Sequence, residues 1–518
     1  MDKTCLLGVD IGTMGTKAAV YDLQGRQLGS AFEESVLLYP RPGWVEQRPD
    51  DIFGSVLRTV RAAVAESGVT PGCIAGIALD GQMGGVCTID ADWDTPTHYD
   101  SWLDNRCAGQ LPALKRHEDA ILARSGCVPS YNHGPKILYW RDEQPATWRR
   151  IRSFIPPAPY VAGRLAGLRG DASFMDRTYL NFTPFADTAR GCWNTDLLQA
   201  FGLDEAKLPR IVEPTEIIGT VSREAAGLTG LLVGTPIAAG CGDQAANVLG
   251  AGIVAPGMVF DTAGTASVLS TVIDRFETDG RYKTLMTCPH VVPGLYYAMA
   301  YVAGGGLNLR WFRDTFATAQ GAAADGDAYR KLDTLAAGVP PGADDLFFLP
   351  HMGGRNTPNN TSMRGAFFGL TWRHGQAEIF RAVMESIAYE YSAYLRSVRA
   401  IAPELAYRRV LNIGGGARSR VFRQIKSDVL GLDYERLDRD EFGTLGSALV
   451  AGKAVGVFAD LSASAMSFNK PLDERITPNP AVREEYERRA AFYGRLLEGS
   501  EGLFQDLQSL REAHPPSA

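Results

Sequence analysis

Between Ala225 and Phe260 the chain carries one formal charge, Asp243, in the run Ala239-Gly-Cys-Gly-Asp-Gln-Ala-Ala-Asn247. A carboxylate among small and apolar residues is costly unless it is paired or has a task. Gly240 and Gly242 flank it and remove side-chain bulk, so another molecule can come close. Two readings fit this spacing. Asp243 is either a base that takes a proton from a bound ligand, or a buried residue capping the helix expected over Gln244 to Gly250.

Three glycine-rich turns offer complementary chemistry. Gly12-Thr13 and Gly264-Thr265 each follow a strand, and successive backbone N–H groups in such turns form anion-binding concavities to which Thr hydroxyls add donors. Asp10, at a strand end beside the first turn, is an oxygen ligand suited to Mg²⁺, and Lys17 is either a phosphate partner or a solvated strand residue. Gly414-Gly415-Gly416-Ala417-Arg418-Ser419 lies between a strand and a helix, which sets bare backbone and a helix N-terminus against a ligand. No GxGxxG follows a strand with an acidic residue at the required distance, and no GxxxxGK[ST] exists, so neither the dinucleotide fingerprint nor the P-loop is present. In Asp100-Ser-Trp-Leu-Asp-Asn-Arg106, an aromatic face near a carboxylate and a guanidinium suits a polyhydroxylated ligand, or else forms an ordinary surface loop around a half-buried Trp102.

These residues need a frame. Thr4 to Asp10, Lys17 to Asp22 and the segment after Gly25 read as an antiparallel meander. A helix follows over Asp50 to Ser67, with Pro49 before it, and then a strand over Ile74 to Leu79. Strand and helix alternate up to Asp243, which makes the first half α/β. The pattern then restarts: Asp10-Ile-Gly-Thr-Met-Gly-Thr matches Asp261-Thr-Ala-Gly-Thr-Ala-Ser, each being strand, Asp, Gly/Thr turn, strand. Helices are expected over Ala377 to Arg399, from Arg420, over Thr444 to Gly456 and beyond Pro480, a strand over Arg409 to Ile413, and frayed residues from Glu512 to Ala518. Two halves opening with one hairpin indicate a duplicated fold. The expected domains are residues 1–253 and 254–518.

With 518 residues, 45% hydrophobic and 21% charged, the chain has room for two full cores. A net charge of −7 gives no electrostatic reason for a nucleic-acid or anionic-membrane partner. The uncharged run Ala225 to Gly242 is broken by glycines, a proline and threonines, which argues against a membrane helix. The start lacks a signal-peptide layout. Eight cysteines without a CxxC pair and seven scattered histidines point to a reduced, cytoplasmic protein without a zinc site.

The ordered set Asp10-x-Gly-Thr-x-x-x-Lys17, Pro42-Gly-Trp-Val-Glu-Gln, Gly81-Gln-Met-Gly, Trp102-Leu-Asp-Asn-Arg, Pro135-Lys-Ile-Leu, Gly240-Cys-Gly-Asp-Gln, Thr262-Ala-Gly-Thr, Phe348-Leu-Pro, Arg364-Gly-Ala-Phe-Phe-Gly-Leu and Gly414-Gly-Gly-Ala-Arg-Ser resembles the FGGY family of carbohydrate kinases, and most of all its xylulokinase branch. The resemblance implies two ribonuclease-H-like domains of the actin and hexokinase kind with an interdomain cleft. It implies Asp243 as catalytic base and Asp10 as a Mg²⁺ ligand. Gly12, Thr13, Gly264 and Thr265 would lie by the triphosphate of ATP, with Lys17 as a further phosphate partner. Gly414, Gly415, Gly416 and Ser419 would lie by its adenosine. Gln82, Met83, Trp102 and Asp104 would line the sugar pocket. The chain departs from the family at three places. Gly15 stands where Ser is usual, with Thr16 offering the missing hydroxyl. Gly84 replaces a His of the sugar pocket, which removes a hydrogen-bonding group and opens space. Gly353 to Pro358 differs from the usual Ser-Gly-Glu-Arg-Thr-Pro. The last two put D-xylulose itself in question. The expected activity is ATP-dependent phosphorylation of a pentulose or a related small ketose or polyol. The rival is a non-catalytic, actin-like nucleotide switch. The oligomeric state, monomer or homodimer, stays open.

Overall fold

The computed structural model describes residues 3–317, 325–439 and 441–513. The first sheet is built from β1 (Cys5–Ile11), β2 (Gly15–Asp22), β3 (Gln27–Glu34), β4 (Ile74–Gly81), β5 (Ile217–Thr220) and β6 (Pro236–Ala238), in the order β5-β6-β4-β1-β2-β3. β1 is a continuous apolar run because β2 and β4 flank it and both faces are covered; Asp10 alone is half-exposed. β3 alternates exposed with covered residues, as an edge strand should. Helix α1 (Pro49–Ser67) packs on this edge. Pro49 stands in its first turn with Asp50 and Asp51, and Gly68 ends it in the left-handed region at φ 67°.

After α2 (Asp243–Gly250) the second half repeats the plan. Its strands are β7 (Val259–Ala263), β8 (Ser267–Ile273), β9 (Met286–Pro289), β10 (Tyr296–Val302), β11 (Arg409–Ile413), β12 (Asp433–Leu437) and β13 (Pro471–Ile476), in the order β9-β10-β8-β7-β11-β12-β13. Set β7 on β1 and the neighbours match in order and direction. The hairpin partner is antiparallel on one side. A parallel strand lies on the other. A further parallel strand and then an antiparallel edge follow. The repeated hairpin therefore marks a duplicated sheet.

Helix α3 (Gly305–Phe312) follows β10, and α4 (Gln376–Ile401) is the long buried helix of the second half. α5 (Arg420–Leu430) follows β11, α6 (Gly443–Ala454) follows β12, and α7 (Arg483–Ala513) closes the described chain; residues 514–518 of the segment expected to fray lie outside the described residues. Tyr486 and Tyr493 pin α7 to α4 by donating to the buried carboxylates of Glu385 and Glu390, each at 2.8–2.9 Å.

Helix α6 crosses the division expected at residues 253/254. It is encoded in the second half, yet it lies on β1 and β4 of the first sheet. Gly8 makes this possible, since a Cβ there would sit 1.9 Å from the Thr444 carbonyl. α2 and α6 also touch through backbone, because Cβ atoms at Gly250 and Gly446 would lie 2.0 Å from the Phe442 and Ala246 carbonyls. One apolar core joins Leu6, Ala19 and Ala78 of the first sheet to Phe260, Val272 and Leu411 of the second through these two helices. Both helices are buried on nearly every side, which explains their Gly- and Ala-rich composition.

Candidate active site

The parallel strands deliver acidic residues at their C-terminal ends. β1 ends beside Asp10, and Asp80 of β4 is its partner in register. Cys241-Gly242 adds to β4 alongside Asp80-Gly81 and so places Asp243 at the first position of α2. The N-cap of α2 is Gly242, so Asp243 is not the capping residue; its Oδ1 accepts only the adjacent Gln244 amide at 2.6 Å. From the second half comes Glu441, just before α6. Its carboxylate accepts the Thr444 hydroxyl at 2.8 Å and the Thr444 amide at 3.2 Å. A Cβ at Gly443 would meet Asp10 Oδ2 at 3.2 Å and Glu441 Oε1 at 3.4 Å, so the glycine lets this loop close on Asp10. Glu441 carries no motif that sequence reasoning could have used. Neither does Asp80, which reads as one more residue of a buried strand.

Crowding and burial raise the proton affinity of the group. Burial, and then the charge of Asp10, push Asp243 up to about 7, against a smaller lowering by the Gln244 amide. Asp10 is pushed up to about 6 by burial and by Glu441, offset by Lys17 across the hairpin and by a hydrogen bond with Asp80. Asp80 is fully buried and held well above the usual carboxylate range by burial and by Asp10, although Ser447 of α6 donates to its Oδ2 at 2.6 Å. The N-termini of α2 and α6 both meet this group and favour negative charge there.

Among the described residues, no three His, Cys, Asp or Glu side chains are arranged to hold a metal ion by themselves. Mg²⁺ normally takes one or two carboxylates and completes its shell with water and substrate phosphates. Asp10, with Asp243 nearby, fits an ion that arrives with a nucleotide.

The expected phosphate turns fold as tight loops. Gly12 N donates to the Gly15 carbonyl, and Gly264 N to that of Ala266, each at 3.0 Å. The second turn is sandwiched between two more glycine segments. Gly306 N and Leu307 N donate to the Gly264 and Thr265 carbonyls, each at 3.1 Å, and a Cβ at Gly306 would be 2.1 Å from the Gly264 carbonyl. On the other side a Cβ at Gly414, whose φ is 87°, would be 2.7 Å from the Ala263 carbonyl. Gly415 is exposed with open space where a Cβ would go. Ser419 caps α5 by accepting the Phe422 amide at 3.1 Å. Gly304-Gly305-Gly306 was missed in the sequence, although it too joins a strand to a helix. It borders a cavity of about 340 Å³ lined by Leu307, Asn308, Arg310, Trp311 and Met352.

The duplication does not extend to chemistry. Asp261, the counterpart of Asp10, is fully buried, pairs with Lys426 at 2.7 Å and accepts the Tyr391 hydroxyl at 2.7 Å. It is a structural ion pair.

The structure places the residues expected at the acceptor pocket as follows. Gln82 is buried and its amide is fully used. Oε1 accepts from Thr13 and Tyr99, and Nε2 donates to the Gly12 carbonyl and to Gln47. It braces the first turn and has no capacity left for a sugar hydroxyl. Asp104 is likewise fully buried, with both oxygens taken by Arg106 and by the amides of Val45 and Arg106. Arg106 in turn lies 3.9 Å from the Trp44 ring centroid and pairs with Glu46 and Asp100. Met83 is buried against Gly242, the residue before Asp243. Trp102 alone of the four keeps an exposed face, at 38%. No space opens at Gly84, because a Cβ there would meet Trp102 Cβ at 3.0 Å and Asn132 Oδ1 at 3.3 Å. Thr16 does not replace the hydroxyl missing at Gly15: it is buried under the hairpin and bonded to Ser55 at 2.8 Å. In the divergent loop, Arg355 reaches the buried Glu390 at 3.3 Å, which ties the loop to α4.

Two matched sheets with crossing central helices, acidic strand ends and matching glycine turns define the ribonuclease-H-like fold of actin- and hexokinase-type phosphotransferases. The models for the N-terminal and C-terminal domains of the FGGY family of carbohydrate kinases match residues 5–250 and 259–455, and the chain belongs to that family. It is an ATP-dependent sugar kinase. It is 26% identical over 512 residues to the xylulose kinase of Staphylococcus epidermidis, covering 98% of this chain and all of that one. The crystal structure of xylulose kinase from Rhodospirillum rubrum superposes with a TM-score of 0.86 at 28% identity, covering 97% of this chain and all of that one. The gluconokinase of Bacillus subtilis is also 28% identical, over 97% of this chain and 98% of its own. No helix among the described residues is long and apolar enough to cross a membrane.

Proposed function

We propose that the chain transfers the γ-phosphate of MgATP to a hydroxyl of a pentulose or a related small ketose or polyol, with Asp243 as general base. The observation that carries this reading is the state of Asp243: half-buried, beside Asp10, and raised to about 7. A base with this proton affinity is matched to neutral pH. The sugar hydroxyl gives its proton to Asp243 as its oxygen attacks phosphorus, and ADP leaves. Phosphoryl transfer needs little else from the protein than positioning and charge stabilisation. The backbone amides of the Gly12 and Gly264 turns face the phosphates, with Lys17 beside Asp10 as a further cation. Asp10 holds Mg²⁺. The nucleoside lies by Gly414 to Gly416, near the cavity behind Gly304. A purely nucleotide-binding switch has no need of a carboxylate whose proton affinity is raised by burial and by Asp10.

Similarity does not choose the acceptor, since a gluconokinase and xylulose kinases stand at comparable identity. With Gln82 and Asp104 committed to the scaffold and glycine at 84, D-xylulose is expected to turn over poorly or to bind through other groups. The test is ADP release over pentuloses, hexuloses, tetritols, pentitols, glycerol and gluconate. No acceptor-dependent release from any of them refutes the kinase assignment to this site. A clear preference for D-xylulose over all others refutes poor turnover, and a complex with D-xylulose decides whether it binds through other groups.

A further inference from the structure

We propose that Trp102 is a positioning residue that locks the acceptor pocket to the first phosphate turn, and that Gly84 is what allows the lock to form. The Trp102 indole N–H donates to Thr13 Oγ1 at 2.8 Å, and the Thr13 hydroxyl donates onward to Gln82 Oε1 at 3.3 Å. Gln82 Nε2 then donates to the Gly12 carbonyl at 3.3 Å. This chain closes on the turn from which it began, so Trp102 and Gln82 together fix the direction of the backbone amides after Gly12. The loop under Trp102 is rigid. Ser101 N donates to the Val45 carbonyl at 3.0 Å, Lys136 Nζ to that of Asp104 at 2.6 Å, and the Asp104 carboxylate is fully bonded. A side chain at 84 would press on Trp102 Cβ from 3.0 Å, and a loop held this way gives by swinging the ring off Thr13.

The inference rests on the proposed acceptor site at the exposed face of Trp102. An acceptor covering that face removes water from the indole–hydroxyl bond and strengthens it. Acceptor occupancy thereby orders the turn that receives the phosphates, and ATP is held less productively when the pocket is empty.

The test is a double-mutant cycle with Trp102→Phe, which keeps the ring and loses the N–H, and Thr13→Val, which keeps the shape and loses the hydroxyl. The first readout is calorimetric affinity for a non-hydrolysable ATP analogue with Mg²⁺; the second is turnover with the best acceptor of the panel above. Each single variant should bind the analogue about 2- to 10-fold more weakly, as befits one neutral hydrogen bond, and the double variant no more weakly than the worse single. Trp102→Phe should lower kcat by a similar factor with acceptor KM nearly unchanged. Gly84→Ala should show the same split, and Thr13→Ser should restore wild-type behaviour. Additive losses in the double variant overturn the proposal, as does a Thr13→Ser as impaired as Thr13→Val or a Gly84→Ala indistinguishable from wild type. The analogue arm needs no acceptor, so failure of the acceptor panel and failure of the lock are separate results.

Discussion

Replacing Asp243 with Asn should cripple catalysis and stabilise the fold in the same molecule. The carboxylate is raised from an ordinary 3.8 to about 7 by burial and by Asp10. Between those values the folded state holds a proton that the unfolded chain has lost, so stability falls as pH rises through that window and levels off above it. Raising the carboxyl from 3.8 to about 7 sets a ceiling near 4 kcal/mol, and solvent screening at a half-buried site brings this to about 2 kcal/mol. Asn keeps the shape, carries no charge and escapes that cost. At pH 8 the variant should melt roughly 2–6 °C higher than wild type, and the difference should shrink toward zero near pH 4. Its kcat should be lower by about 10²–10⁴-fold, the usual worth of a general base. The wild-type rise of kcat/KM with pH, centred near 7 in the free enzyme, should vanish in the variant. Differential scanning calorimetry and ADP release on one preparation measure both effects. A variant that melts lower at pH 8 yet turns over normally per folded molecule would falsify both the burial argument and the role of Asp243.

Three other substitutions separate the roles of the surrounding residues. Asp10→Asn should raise the Mg²⁺ concentration needed for half-maximal rate, and excess Mg²⁺ should recover part of kcat; a defect indifferent to Mg²⁺ argues against a metal ligand. Gly415→Val should fold normally, because open space surrounds the new Cβ, and should weaken ATP binding while sparing the acceptor; unchanged ATP affinity by calorimetry removes this turn from the nucleotide site. Lys426→Met leaves Asp261 buried and unpaired, at a cost of about 3–5 kcal/mol, so Tm should drop by about 10 °C, and a variant with wild-type Tm contradicts the structural reading of that pair.

Local chemistry was legible in the chain itself. An isolated carboxylate between glycines, glycine turns at strand ends and apolar strands of fixed period are set by residue type over a few positions. They sufficed for the repeated hairpin and for the main helices. The hairpin repeat pointed to a duplicated fold, while the matching strand order of the two sheets came only with the structure. Which polar groups remain free was decided only by tertiary structure, because it depends on partners far away in sequence. Gln82 and Asp104 look like sugar ligands until Gly12, Gln47, Val45 and Arg106 use up their hydrogen bonds. Asp10 and Asp261 occupy equivalent places, yet Lys426 neutralises one, while Glu441 and Asp80 crowd the other. Helix α6 crosses to the first sheet because Gly8, Gly446 and Gly250 let backbone meet backbone, a long-range contact with no local signature. Gly84 shows the same limit: as a residue it removes bulk, but in the fold Trp102 lies over it, and its indole reaches Thr13.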